Sequence, residues 1–195
     1  MRYSPEHNEE IRKRILQIAS FRFRKDGINS VGVAPLMQEA GLTHGTFYTH
    51  FKSKDDLVAA TVAELNRERV ETIGTTLAQP NGLETFLRSF LSESHRDTFS
   101  AGCLNASIVG EIARESDKVR SAYTQGTADL IEALAARLER FAPDQRRSAA
   151  IALLSMICGS IQSARAVSDP AFSKEILDGS FKMAMLFALG RDATR

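Results

Sequence analysis

Apolar residues recur three or four positions apart along nearly the whole chain, the spacing that lines one face of an α-helix. Ile11, Ile15, Ile18 and Ala19 form one such stripe with Phe23 near its end, and Asp26-Gly27 closes a first helix over 9–25. Val33, Leu36, Met37 and Ala40 predict a short second helix that must stop at Gly41, where positive φ is cheap only for glycine. Thr43 then offers an oxygen to the free amides of a third short helix, whose inward side chains are Phe47 and Phe51. Ser53 and Asp56 make an S-x-x-D capping pattern that opens a fourth helix at Lys54, running through Leu57, Val58, Thr61 and Leu65 as far as Leu77 before Pro80-Asn81-Gly82. Further stripes predict helices over 83–99, 103–115, 117–141, 148–167 and 173–189. The expected fold is all-α with about nine helices.

The eighth of these, over 148–167, is almost entirely small or apolar, long enough to invite a membrane-spanning reading. Ser155, Ser160, Gln162, Ser163 and Arg165 argue against that, and a helix buried on both sides of a packed core is expected instead. Two short helices joined by a glycine turn make a helix-turn-helix. Turned at about 3.6 residues per turn with Phe47 and Phe51 inward, the second of them leaves Gly45, Thr46 and Thr49 pointing out, Tyr48 on the flank and His44 nearer the buried side. A small, polar outward face of this kind lies close to a major groove, where a threonine hydroxyl serves either base type and its methyl meets thymine.

The runs Ala40-Gly41-Leu42-Thr43, Gly45-Thr46-Phe47-Tyr48-x-His50-Phe51 and Lys52-Ser53-Lys54-Asp55-Asp56-Leu57 resemble the DNA-binding domain of the TetR family of bacterial transcriptional regulators. The resemblance implies an N-terminal helix-turn-helix DNA-binding domain over 1–53 and a helical ligand-binding and dimerisation domain over 54–195. It makes His44 and Thr46 readers of base edges, with Gly45 and Thr49 on the same face, and Thr43, Tyr48, His50 and Lys54 contacts to phosphate. The bland alternative is that Thr43 only caps, Tyr48 and His50 pack between helices and Lys54 is a solvated charge. Arg12, Lys13 and Arg14 either approach the DNA backbone or form a solvated face. Two positions depart from the family pattern: Gly32 stands where a Ser or Thr cap is usual, and Met37 where a small alanine is usual. The implied partners are a double-stranded operator with an inverted repeat, a second copy of the chain docked through the last two helices, and an unidentified small-molecule effector.

Net charge is only +1, but it is uneven: residues 1–54 hold nine Lys/Arg against five Asp/Glu, the remainder sixteen against nineteen. So modest an excess favours placed phosphate contacts and dimerisation over a broad basic field. The opening M-R-Y-S-P-E-H-N-E-E has no apolar segment of the secretory kind, and a cytoplasmic protein is expected. Cys103 and Cys158 lack metal-ligand spacing and should be reduced thiols in that compartment. No metal site, cofactor or membrane partner is expected, and the absence of a nucleophile elbow, a Cys/His signature and a dinucleotide fingerprint speaks against catalysis.

In the C-terminal half, Ser100-Ala101-Gly102-Cys103-Leu104 followed by Glu111-Ile112-Ala113 resembles a subset of the family that includes the N-ethylmaleimide reductase repressor. The resemblance implies that Cys103 senses electrophiles or oxidants; the competing reading is a small residue packed at a helix start. Asn105, Tyr123 and Gln162, with Arg165, are polar residues on mainly apolar helices, placed either to line a ligand pocket or to sit at a surface or subunit seam.

Overall fold

The computed structural model describes residues 4–99 and 104–190. Among these the chain forms ten helices: α1 (Pro5–Asp26), α2 (Val33–Glu39), α3 (His44–His50), α4 (Lys54–Leu77), α5 (Gly82–Phe90), α6 (Glu93–Asp97), α7 (Leu104–Ile112), α8 (Asp117–Ala135), α9 (Arg146–Ala166) and α10 (Pro170–Leu189). The all-α expectation holds. The additional helix comes from a break in the segment expected to be continuous over 83–99. Leu91 leaves helical geometry and turns into the core, while the Ser92 side chain accepts from the His95 amide at 3.1 Å and starts α6. A serine that offers local hydrogen bonds competes with the helix it interrupts.

Other ends move for similar reasons. α1 begins at Pro5 because Ser4 caps the His7 amide and proline suits the first turn. α8 stops at Ala135, six residues short of the expected end. Tightened bonds from the Arg137 amide to Leu134 and from the Leu138 amide to Ala135 follow, and they drop Leu138 fully into the core. Asp169 accepts from the Ala171 and Phe172 amides and starts α10 three residues early.

Two large cores and a small cluster of Ile161, Ala164 and Leu177 hold the described helices together. The first gathers Ile15, Phe23, Leu36, Met37, Phe47, Phe51 and Leu57, but it is not confined to the N-terminal helices: Leu104, Ile108, Ile112 and Val119 from α7 and α8 complete it. Met37 is folded into this core, 1% exposed. The second joins Ile73, Leu77, Phe86 and Leu87 to Leu130, Leu134, Leu153, Ile157 and Met185. Each fully buried side chain of this size is worth roughly 1.5–3 kcal/mol of apolar transfer. α4 packs along α8 and belongs to both large cores.

α9 corrects one expectation. It is long and apolar enough to cross a membrane by length and composition alone, yet it is a core helix on one face only. Leu153, Leu154, Ile157 and Ile161 are buried, while Ile151, Ser155, Gly159 and Gln162 face outward. α10 adds Phe172, Gly179, Met183 and Leu186 as exposed positions. Burial on both sides would require a second molecule.

Candidate nucleic-acid interface

The turn between α2 and α3 is built from local chemistry. Gly41 has φ +67, and the Leu42 amide returns to the Met37 carbonyl at 2.9 Å, which satisfies the end of α2 and turns the chain sharply. Gly32 caps α2 without a side-chain bond. Thr43 accepts from the Thr46 amide at 3.3 Å, and the two threonine hydroxyls lie 2.9 Å apart. Only Phe47 of α3 is buried, stacked toward Phe51 at 5.7 Å between ring centroids. His44, Gly45, Tyr48 and Thr49 are exposed, while Thr46 and His50 are partly buried.

What the exposed face offers is specific. The Thr49 hydroxyl donates to the Thr46 carbonyl at 2.7 Å, so its proton is committed and it presents lone pairs and a methyl group. Gly45 is exposed, and a Cβ there would meet only Thr43 Oγ1 at 3.8 Å, so the glycine keeps the face flat. Tyr48 is 59% exposed and edge-on to both His44 and Phe47. His44, expected near the buried side, is exposed: as the first residue of the helix it projects beyond the core and leans on Tyr48 one turn later.

The C-terminal end of α3 is fixed by a residue far away in sequence, while Thr43 caps its start. Arg12 of α1 donates through Nη1 to the His50 carbonyl at 2.9 Å and lays its guanidinium 4.3 Å from the centre of the Phe51 ring. Sequence reasoning offered Arg12 only as a DNA contact or a solvated charge; it is a clamp on the free carbonyl end of α3, where a cation is favoured. His50 is held below the ordinary histidine range, first by partial burial and then by the nearby Arg12 charge. Lys54 is not a free surface charge, because its Nζ donates to the Ile28 carbonyl at 2.7 Å. One of its three donors is spent on the α1–α2 loop.

The same loop is latched to α7. Glu111 Oε2 accepts from the Asn29 amide at 3.0 Å and from Asn29 Nδ2 at 3.3 Å. The head of α4 is tied to the head of α8: Asp55 accepts from Ser116 at 2.7 Å, and Asp56 pairs with Lys118. That bond to Lys118 is the main reason the Asp56 carboxyl lies below the usual range. The α1–α2 loop is therefore tied to α7, and the head of α4 to the head of α8, through carboxylates.

Of the residues singled out in the C-terminal half, Cys103 lies outside the described residues. Asn105 and Gln162 come together: Gln162 donates to the Asn105 carbonyl at 3.2 Å, and the buried Asn105 side chain accepts from Arg69 and donates to Cys158 Sγ at 3.4 Å. Cys158, expected in the core, is half-buried. Tyr123 is elsewhere, partly buried against the first core. Arg165 holds carbonyls of His95, Arg96 and Ala106 and fixes α6 against α7. Arg69 was missed by sequence reasoning, because N-R-E-R-V-E reads as a solvated helix face.

Comparison with known proteins finds relatives for two stretches of the chain. The family described as "Bacterial regulatory proteins, tetR family" matches residues 15–61, and "Transcriptional regulator LmrA/YxaF-like, C-terminal domain" matches residues 81–173. The HTH-type transcriptional regulator YdgC of Bacillus subtilis (strain 168) is 33% identical over 76 residues, 39% of this chain and 38% of that protein. AcrR of Shigella flexneri is 36% identical over 56 residues, 29% of this chain and 26% of AcrR. The matched parts are thus well under half the length of these relatives. The reduced form of E. coli NemR superposes with a TM-score of 0.78 at 20% identity, covering 95% of this chain and 98% of NemR, a likeness of fold alone.

Proposed function

We propose, for a chain that belongs to the tetR family of transcriptional regulators, that it is a homodimeric repressor which releases a palindromic operator when a small molecule acts on its C-terminal half. The observation that carries the reading is α3: a short helix clamped at both ends, with one buried residue and an otherwise exposed, polar and flat face. In this reading residues 1–53 form the DNA-binding domain and 54–195 the effector and dimerisation domain, acting in the cytoplasm. His44, Gly45, Thr46 and Thr49 meet base edges; Thr43, Tyr48, His50 and Lys54 meet phosphate. Because the Thr49 proton is spent, Thr49 accepts from adenine or cytosine amino groups or packs on a thymine methyl.

Selection of random duplexes by the purified chain tests the reading. An inverted repeat should emerge, and Thr46→Ala should change the preferred bases within each half-site. Recovery of no repeat, or of the same site by Thr46→Ala, contradicts it.

Phosphate contacts have their own signature. Lys54→Met should flatten the dependence of log affinity on log salt by about 0.9 per protomer and weaken all sequences alike. An unchanged salt slope removes Lys54 from the interface. Its bond to Ile28 leaves two ammonium donors for the duplex.

His50 gives a proton linkage. A phosphate beside the ring favours the charged form that Arg12 and burial oppose in the free protein, so binding takes up to about one proton per protomer and affinity rises as pH falls. For folding the sign is opposite. A histidine whose pKa is depressed in the native state contributes stability above its unfolded value, lost as pH falls through the native one. Titrations across neutral pH should show the affinity gain in the wild type and lose it in His50→Gln; equal slopes contradict the contact.

A further inference from the structure

A cavity of about 380 Å³ opens between α4, α5, α6 and the start of α7, with the end of α1 at its edge. Its walls are mainly apolar, with Leu65, Ile73, Phe86, Phe90 and Leu104 among them. At roughly 30 Å³ per water it holds the volume of about a dozen waters, room for a ligand on the order of a dozen non-hydrogen atoms.

Arg69 lines this space, and one edge of its guanidinium is unpaired among the described residues. Its Nη1 donates to Asn105 Oδ1 at 2.8 Å, but Nε and Nη2 are shielded from solvent and meet no acceptor among the described residues. These two nitrogens share one edge of the planar guanidinium, the edge that receives both oxygens of a carboxylate side by side. Asn105 is itself held by Cys158 and Gln162, so the fork is oriented before anything binds. His95, half-buried and stacked 4.6 Å from Phe90, also lines the cavity, and its buried Nε2 has no partner among the described residues. Buried donors without acceptors destabilise a protein unless a ligand supplies the acceptors.

The charges select the head group. Arg24 lines the cavity, but it bonds to the Ser20 carbonyl and hydroxyl through Nε and Nη2. Glu68, the acidic residue of the lining, is exposed and makes no ion pair with Arg69 among the described residues. The uncommitted Arg69 edge offers two parallel donors that match the two oxygens of a carboxylate; a phosphate monoester, with nearly twice the charge, would draw on Arg24 as well.

We infer that this cavity takes a small amphipathic carboxylate, its two oxygens held side-on by Arg69 and its apolar body set against Phe86 and Phe90. The inference rests on the ligand-responsive reading above and names the class of effector. The ligated Arg69 sits on α4 beside Asn105 of α7, the helix whose far end holds the Asn29 loop through Glu111. Binding is thereby placed at one end of a helix whose other end supports the DNA-binding half.

The test uses the full chain without DNA. Calorimetric titration compares phenylacetate, indole-3-acetate and 2-naphthoate with their neutral primary amides and with phenyl phosphate. At least one acid should bind ten times or more tightly than its amide and than phenyl phosphate. Arg69→Met should abolish the difference. If that variant fails to fold, Arg69→Lys decides, because it keeps the charge and loses the fork; a tenfold weakening is expected. Amides that match the acids, phenyl phosphate that matches them, no binding by any acid, or full retention in Arg69→Lys each overturns the inference. Operator affinity of the wild type is measured in parallel: a chain that holds its operator but binds no acid loses this inference alone, and one that binds an acid without any change in operator affinity loses the effector reading instead.

Discussion

Gly159→Arg is expected to turn the protein into a folded monomer whose operator affinity has fallen by on the order of a thousandfold, because both half-sites can no longer be engaged at once. Gly159 is exposed on α9, and a Cβ added there meets nothing within 4 Å. Within one protomer the substitution should even help, since replacing a mid-helix glycine by arginine gains up to about 0.8 kcal/mol of helix propensity. The damage is expected only between protomers. Gly159 lies in the outward stripe with Ile151, Ser155 and Gln162, next to α10, where Phe172, Met183 and Leu186 are 50%, 55% and 42% exposed. Gly179 is a second outward glycine with open space around it. In the proposed dimer this partly apolar face is the interface, and a twofold copy would bring the two introduced guanidinium groups face to face. Sedimentation and fluorescence anisotropy decide the matter. A Gly159→Arg variant that stays dimeric removes α9 from the interface, and a monomer with undiminished affinity removes the need for a dimer.

Gly126→Ala is expected to be strongly destabilising. A Cβ at Gly126 would sit 2.2 Å from Asn66 Cβ and 2.3 Å from its Cγ, where α8 crosses α4. These are the inner atoms of a side chain only 2% exposed, which donates to the Ala122 carbonyl at 3.2 Å and has no room to swing aside. Overpacking of about 1–3 kcal/mol and a lost hydrogen bond of about 1 kcal/mol outweigh a helix-propensity gain of about 1 kcal/mol. At about 2–4 °C per kcal/mol for a chain of this size, Tm should drop by about 2–12 °C. Gly74→Ala supplies the opposite sign. It lies on α4 with nothing within 4 Å of its Cβ, so the propensity gain stands alone and stability rises by up to about 1 kcal/mol. Thermal unfolding of both variants checks the pair; equal midpoints would mean that α8 does not approach α4 as closely as Asn66 and Gly126 imply.

The features that were legible in the sequence are those whose partners lie within one helical turn. Gly41, the Thr43 and Ser53 caps and the Phe47–Phe51 pair follow from spacings of three or four residues, and each has the expected geometry. The Ser4-Pro5 start of α1 and the Ser92 cap carried equally local signals, outweighed by the apolar periodicity around them. What periodicity does not reach is contact across the fold. The Arg12 clamp on α3 spans 38 residues, the bond from Lys54 to Ile28 spans 26, and the Glu111 latch on Asn29 spans 82. Arg69 is the sharpest case: its neighbours Arg67, Glu68 and Glu71 do form a charged, solvated face, and only the packing of α7 against α4 turns Arg69 inward. Asn105 stood out as a polar residue on an apolar helix, but its partner did not.

The most direct measurement is a hydroxyl-radical footprint of the full chain on the duplex recovered by selection, with stoichiometry measured on the same complex. Two protected patches related by a twofold axis, centred about 34–36 Å apart along the duplex and matched by two protomers per site, are the expected result. A single patch, one protomer per site, or protection that ignores sequence at low salt would contradict paired presentation of α3 to successive grooves.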